Sequence, residues 1–132
     1  MKLGYTILYV TDVPASLAHY KAAFGCETLF VHESNMYGEL ETGDTVLAFA
    51  ANDMAELNNV AMRTSDPRDM TGPVNITFVT DDVQPAYDNA VANGAAAVMP
   101  PTAKPWGQVS SYVRDIDGHL VEIAQPLHDR HK

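Results

Sequence analysis

The feature that most constrains this chain is that one order of elements occurs twice. Tyr5-Thr-Ile-Leu-Tyr-Val10 is short, β-branched and aromatic, which is a strand pattern. It runs through Thr11-Asp-Val-Pro14 into a helical stretch that closes at Phe24-Gly25. Asp12 suits an N-cap, Pro14 a first helical turn and Gly25 a C-cap. Leu17, Tyr20 and Phe24 fall at i, i+3 and i+7, one apolar stripe. Strands are expected at about 27–32, 36–41 and 45–50, the last two joined by a tight turn at Thr42-Gly43-Asp44. The second half repeats this. Val74 to Thr80 reads as a strand, Asp82 as a cap, and Val83, Ala86, Tyr87, Ala90 and Val91 as a buried helical stripe ending at Asn93-Gly94. Strands follow near 95–99, 108–114 and 119–125, with Asp117-Gly118 as the last hairpin turn. Asp12-Val13 and Asp82-Val83 stand 70 residues apart, and Gly25 and Gly94 stand 69 apart. A matched order of eight strands and two helices outweighs the chance recurrence of a common strand-Asp-helix-Gly pattern.

The expected fold class is therefore α+β, built from two tandem βαβββ modules at about 4–50 and 73–126. They make a single domain over 1–132, joined by a polar connector over 51–72 in which Met54 to Met62 reads as a short helix. The 132 residues, 46% apolar and 19% charged, can bury a core without disulfide or metal staples. No apolar run is long enough for a membrane helix, and the opening Met-Lys-Leu-Gly-Tyr runs straight into a strand pattern rather than a signal peptide. One cysteine, Cys26, cannot form an internal disulfide and suits a reducing cytoplasm. Eight Lys+Arg against 17 Asp+Glu give a net charge of −9, which argues against nucleic acid or an anionic membrane as partner. A small molecule or a protein fits better.

The duplicated module, ending in Asp115-Ile-Asp-Gly-His-Leu-Val-Glu122-Ile, resembles the vicinal oxygen chelate superfamily of glyoxalases, extradiol dioxygenases and bleomycin-resistance proteins. The most specific piece is Arg114-Asp115-Ile-Asp117-Gly118 to Glu122, with Ile116 where the family usually has Pro. Tyr5 to Val13 and Phe78-Val-Thr-Asp-Asp-Val83 match the openings of its two modules. The resemblance implies two curled mixed sheets around a U-shaped cleft with the helices outside, and a homodimer. In the family's enzymes the cleft holds a divalent metal acting as a Lewis acid on the substrate, bound by His or Glu on the first and last strand of each module. Those positions match Tyr5, Asn75, Leu47 (or Phe49 if the register slips by two) and Glu122. Only Glu122 is a usual ligand, so a resident metal is disfavoured. His19, His32, His119, His128 and His131 stand at none of these positions and read as surface residues, with His19 facing solvent.

Strand alternation supplies the candidate lining. Tyr5, Ile7 and Tyr9 share a face, as do Asn75, Thr77 and Val79, and Leu47 and Phe49. Glu122 points to the cleft, away from the Val121–Ile123 face under the helices. Tyr112 and Arg114 share a face on the neighbouring strand, and Tyr112 stands ten residues before Glu122, the spacing of a site-facing Tyr in the fosfomycin-resistance relatives. Arg114 pairs either with Glu122 or with an anionic ligand group. Trp106, in the Pro/Gly loop Thr102-Ala-Lys-Pro-Trp-Gly-Gln108, suits a lid over a flat ligand, and Met36-Tyr37 suits hairpin packing. Cys26 follows a helix C-terminus, an unfavourable place for a nucleophilic thiolate. The first reading is a cytoplasmic protein that binds an aromatic or amphipathic small molecule without a metal, sequestering a toxic or antibiotic compound. Glu122 or Tyr5 would serve in any proton transfer. The second is a metal-dependent lyase, isomerase or dioxygenase with a non-standard ligand set, to which a dimer could bring Glu39 or Glu41. A third is a small regulatory module with a vestigial cleft.

Overall fold

The computed structural model describes residues 1–69 and 72–127; His128 and His131 lie outside them. The chain forms two compact units, Met1–Asp66 and Pro67–Lys132. In the first, β1 (Tyr5–Val10) leads to α1 (Val13–Phe24), then β2 (Thr28–Val31), β3 (Tyr37–Leu40), β4 (Val46–Ala51) and a short α2 (Asp53–Leu57). In the second, β5 (Asn75–Val79) leads to α3 (Val83–Ala92), β6 (Ala96–Ala103), β7 (Val109–Arg114) and β8 (Leu120–Ala124). Each unit holds one four-stranded mixed sheet. The orders β1-β4-β3-β2 and β5-β8-β7-β6 are the same order twice, with the first and last strand of each module parallel. The duplication read from the sequence is thus a duplication of topology.

Local chemistry explains the element ends. Asp12 Oδ1 accepts from the Ala15 amide at 2.9 Å, and Gly25 takes the left-handed conformation (φ 72) that closes α1. Asp82, at the matching place before α3, makes no side-chain capping bond. The α3 stripe is narrower than the sequence suggests: Val83, Tyr87 and Ala90 are buried, but Val91 is exposed. The helix expected over 54–62 spans only Asp53–Leu57. Strand β6 continues through Pro100-Pro101 to Ala103 rather than stopping near 99. It lies at a sheet edge, where a proline's missing donor need not break a ladder bond on the outer side.

The core of the first unit lies between α1 and one face of its sheet. Val13, Leu17, Tyr20 and Ala23 of α1 are buried with Leu8, Val10, Leu40 and Phe49. His19, expected to face solvent, is also buried, its ring edge-on to Tyr20 and Phe24 with centroids 5.8 Å away. An imidazole edge-on to two aromatic rings packs through its ring carbons, which hydrophobic periodicity alone does not reveal. Helix α1 crosses β3 at Gly38. A Cβ there would lie 2.9 Å from Leu17 Cδ1 and 3.2 Å from Val13 Cγ1. Gly38→Ala is therefore expected to destabilise the fold by about 1–3 kcal/mol through overpacking, read as a lowered urea midpoint.

Cys26 is buried just past the α1 C-cap, and burial pushes its thiol from 9.0 up to about 11. The folded value lies above the unfolded one. Cys26 therefore contributes its full stability below pH 9, and this is lost as pH rises from 9 to 11, where only the unfolded chain ionises. The expected loss is about 2–3 kcal/mol across that window. It should appear as a fall in urea midpoint that is steeper for wild type than for Cys26→Ala.

Candidate functional site

Each sheet turns one face to its helix and leaves the other open. The parallel ladder sets the phase in the first unit: Thr6 pairs with Leu47, Ile7 with Ala48 and Leu8 with Phe49. Residues paired across a ladder share a face. Leu47 and Phe49 therefore lie on the helix face with Leu8, and Phe49 packs on Tyr20 at 4.8 Å between ring centroids. Their assignment to the site is corrected. The open-face residue at the end of module 1 is Ala48, beside Ile7 on one side and Glu39 on the other. This error has a physical origin. Val-Leu-Ala-Phe-Ala-Ala over β4 contains no polar residue, so alternation carries no mark of which phase faces the helix.

The open face of the first sheet is aromatic. Tyr5 (56% exposed) and Ile7 (40%) stand on β1, Phe30 (46%) on β2 and Tyr37 on β3. Tyr37 is more than hairpin packing. Its ring lies 6.5 Å from that of Phe30, and its hydroxyl donates to Glu39 Oε2 at 2.7 Å. Burial first, then the Glu39 hydrogen bond and charge, and last nearby Tyr5, push the Tyr37 phenol well above its ordinary ionisation.

The open face of the second sheet is polar and centred on Glu122. Glu122 pairs with Thr77 on one side and Tyr112 on the other. Thr77 Oγ1 donates to Glu122 Oε1 at 2.8 Å, and the buried Ser110 Oγ donates to Oε2 at 2.5 Å. Asn75 Nδ2 in turn donates to Thr77 Oγ1 at 2.9 Å. Asn75, Thr77, Tyr112 and Glu122 are thus brought together as alternation predicted. Ser110 is the member that sequence reading missed, although the same alternation puts it on the Tyr112–Arg114 face. Tyr112 stands beside the carboxylate: burial, then the Glu122 charge and hydrogen bond, push its phenol up, and the Ser110 hydroxyl opposes them. Lys104 Nζ lies over the Tyr112 ring, 5.6 Å from its centroid.

Arg114 does not pair with Glu122. Its Nη1 donates to the Gly118 carbonyl at 2.7 Å, so it braces the β7–β8 hairpin. The same loop holds Asp115, whose carboxylate accepts from the Asp117 and His119 amides and meets His119 Nδ1 at 2.9 Å. His119 is thus a half-buried loop brace rather than a loose surface histidine. His32 is exposed and pairs locally with Ser34. Trp106 sits at the tip of the tight β6–β7 turn, 64% exposed, its Nε1 donating to Gln108 Oε1 at 3.0 Å.

The donor set at the four family positions is Tyr5, Ala48, Asn75 and Glu122. Alanine cannot ligate, and amide oxygen and neutral phenol are weak partners for a divalent ion. Among the described residues, no three His, Cys, Asp or Glu side chains group to hold a metal. The residues at these positions do not fit a resident divalent metal. No described helix is long and apolar enough to cross a membrane.

A glyoxalase-related enzyme from Fulvimarina pelagi has a similar structure, 28% identical with a TM-score of 0.82, the match covering 96% of this chain and 88% of that one. A glyoxalase/bleomycin resistance protein/dioxygenase family enzyme from Burkholderia phytofirmans PsJN is 23% identical with a TM-score of 0.78, covering 96% and 100%. TioX from Micromonospora sp. ML1 is 22% identical with a TM-score of 0.73, again covering 96% and 100%. Among curated proteins none matches the chain significantly. The family model for the Glyoxalase/Bleomycin resistance protein/Dioxygenase superfamily matches residues 2–123. With that match over nearly the whole chain and the duplicated βαβββ topology beneath it, the chain belongs to the glyoxalase/bleomycin resistance protein/dioxygenase superfamily.

Proposed function

We propose that this protein binds a small aromatic or amphipathic molecule on its open sheet faces without a resident metal. In the family, sequestration of a toxic or antibiotic compound is the nearest role, and a cytoplasmic homodimer is the expected form. The carrying observation is the open face of the first sheet. Large apolar side chains, Tyr5, Ile7 and Phe30, stand exposed where a soluble fold would bury them, around Ala48, a residue with nothing to ligate. Exposed aromatic surface beside a few fixed polar groups is the usual lining of a small-molecule site. Trp106, the one tryptophan, supplies a second aromatic surface.

A second reading, metal-dependent lyase, isomerase or dioxygenase chemistry, draws on Glu39. Its carboxylate shares the open face with Ala48, so module 1 presents an acid next to the vacated ligand position. Metal content separates the two readings. The full chain, purified without a histidine tag or chelator, is analysed for Mn, Fe, Co, Ni and Zn. Each metal is then titrated in a thermal-shift assay. The binding reading expects far less than one metal per chain and no metal-induced shift. It also expects stabilisation and Trp106 quenching by planar aromatics such as 2-naphthol or quinoline. Near-stoichiometric metal that is lost in Glu39→Ala or in Glu122→Ala would replace it with the enzyme reading.

A further inference from the structure

The geometry points to Glu122 as the receptor for a cationic head-group, so that the ligand is an aromatic or amphipathic amine rather than a neutral or acidic compound. This inference rests on the binding reading above and names the ligand class that the open face of the second sheet takes.

Three observations carry it. The first is that the Glu122 carboxylate is aimed. Hydroxyls hold both its oxygens, Thr77 on Oε1 and Ser110 on Oε2, and Ser110 is itself fully buried. Its orientation is therefore fixed before any ligand arrives, which lowers the ordering cost of binding. The second is that its charge is not cancelled. Its hydrogen-bond donors are neutral, and among the described residues no ion pair reaches it. Arg114, the cation on the same face, is turned to the Gly118 carbonyl. A half-buried carboxylate without a counter-ion leaves its charge for an incoming cation to pair with. The third is the neighbouring ring. Tyr112 pairs directly with Glu122 across the β7–β8 ladder, and its face already hosts an ammonium, that of Lys104. An aromatic face next to a carboxylate matches an organic cation on both counts, by cation–π attraction and by a charge-assisted hydrogen bond.

Three phenyl probes of nearly equal size and different charge test this on the full chain: 2-phenylethylamine, 2-phenylethanol and 3-phenylpropionate. Affinities are read by calorimetry at neutral pH and low salt. The amine is expected to bind about 10-fold or more tighter than the alcohol, the range for a hydrogen bond to a charged group. In Glu122→Gln that preference should shrink to about 2-fold or less. If the Glu122→Gln chain does not fold, amide shifts in wild type assign the site. The amine, and not the alcohol, should move Thr77, Ser110, Tyr112 and Glu122. Equal binding of amine and alcohol, or an amine preference that survives in Glu122→Gln, overturns the inference and leaves the aromatic-binding reading standing. Preference for the carboxylate overturns it in favour of Lys104 as the charged handle. If none of the probes and no planar aromatic binds at millimolar concentration, the binding reading falls and takes the inference with it.

Discussion

Phe49→Ala is expected to cost about 3–5 kcal/mol, the usual range for removing a fully buried phenylalanine ring. The ring is completely buried, packed at 4.8 Å on Tyr20, which in turn lies 4.8 Å from Phe24. Its removal opens a cavity between α1 and β4 that a helix anchored at Asp12 and Gly25 cannot easily collapse to fill. Urea unfolding measures the effect. Ile7→Ala is the control: its side chain is 40% exposed on the opposite face of the same sheet, and its truncation should cost about 1 kcal/mol or less. The pair also tests the phase of the ladder. Were Phe49 on the open face, the two costs would be similar, and Phe49→Ala would alter ligand binding more than stability.

The second large effect is expected at Asp115, through hydrogen bonding rather than packing. This carboxylate is buried. Its Oδ1 accepts from the Asp117 and His119 amides at 2.9 Å each, and Oδ2 meets His119 Nδ1. Asp115→Ala strands two loop amides and the imidazole at once. At about 1–3 kcal/mol per stranded buried group, partly relieved by water at the loop surface, the loss should be about 3–5 kcal/mol. Asp115→Asn keeps an oxygen for the amides but gives up the charge, and is expected to fall between the two at about 1–2 kcal/mol. A urea midpoint for Asp115→Ala within experimental error of wild type would refute the bracing role. Because this loop joins β7 to β8, loosening it should also disturb the alignment of Tyr112 with Glu122. Any amine preference should then weaken along with stability.

These two residues show how unevenly the sequence reveals the molecule. The signature around Asp115 is visible as a motif, and the turn at Asp117-Gly118 follows from turn chemistry. What Asp115 does there is not visible, because its partners are backbone amides whose positions depend on the closed loop. Phe49 is the opposite case. Its apolar character is plain, but β4 is apolar throughout, and a strand without a polar marker has no readable inside. Strand β8 does carry a marker, the carboxylate of Glu122, and there alternation assigned the faces correctly. His19 misled because a histidine off the apolar stripe looks like a surface residue. In the structure the stripe is wide enough to take in its ring.

By itself the sequence determined the local ends of elements and the repeat. Asp12 caps α1, Gly25 closes it in the left-handed conformation, and the same order of strand, helix and three strands is written twice, because these depend on residues a few positions apart. Tertiary structure alone decided which phase of β4 meets α1, and that Thr77, Ser110 and Glu122 converge across 45 and 12 residues of sequence. Such contacts depend on strand register, and register is settled by the summed packing of whole faces rather than by any single residue.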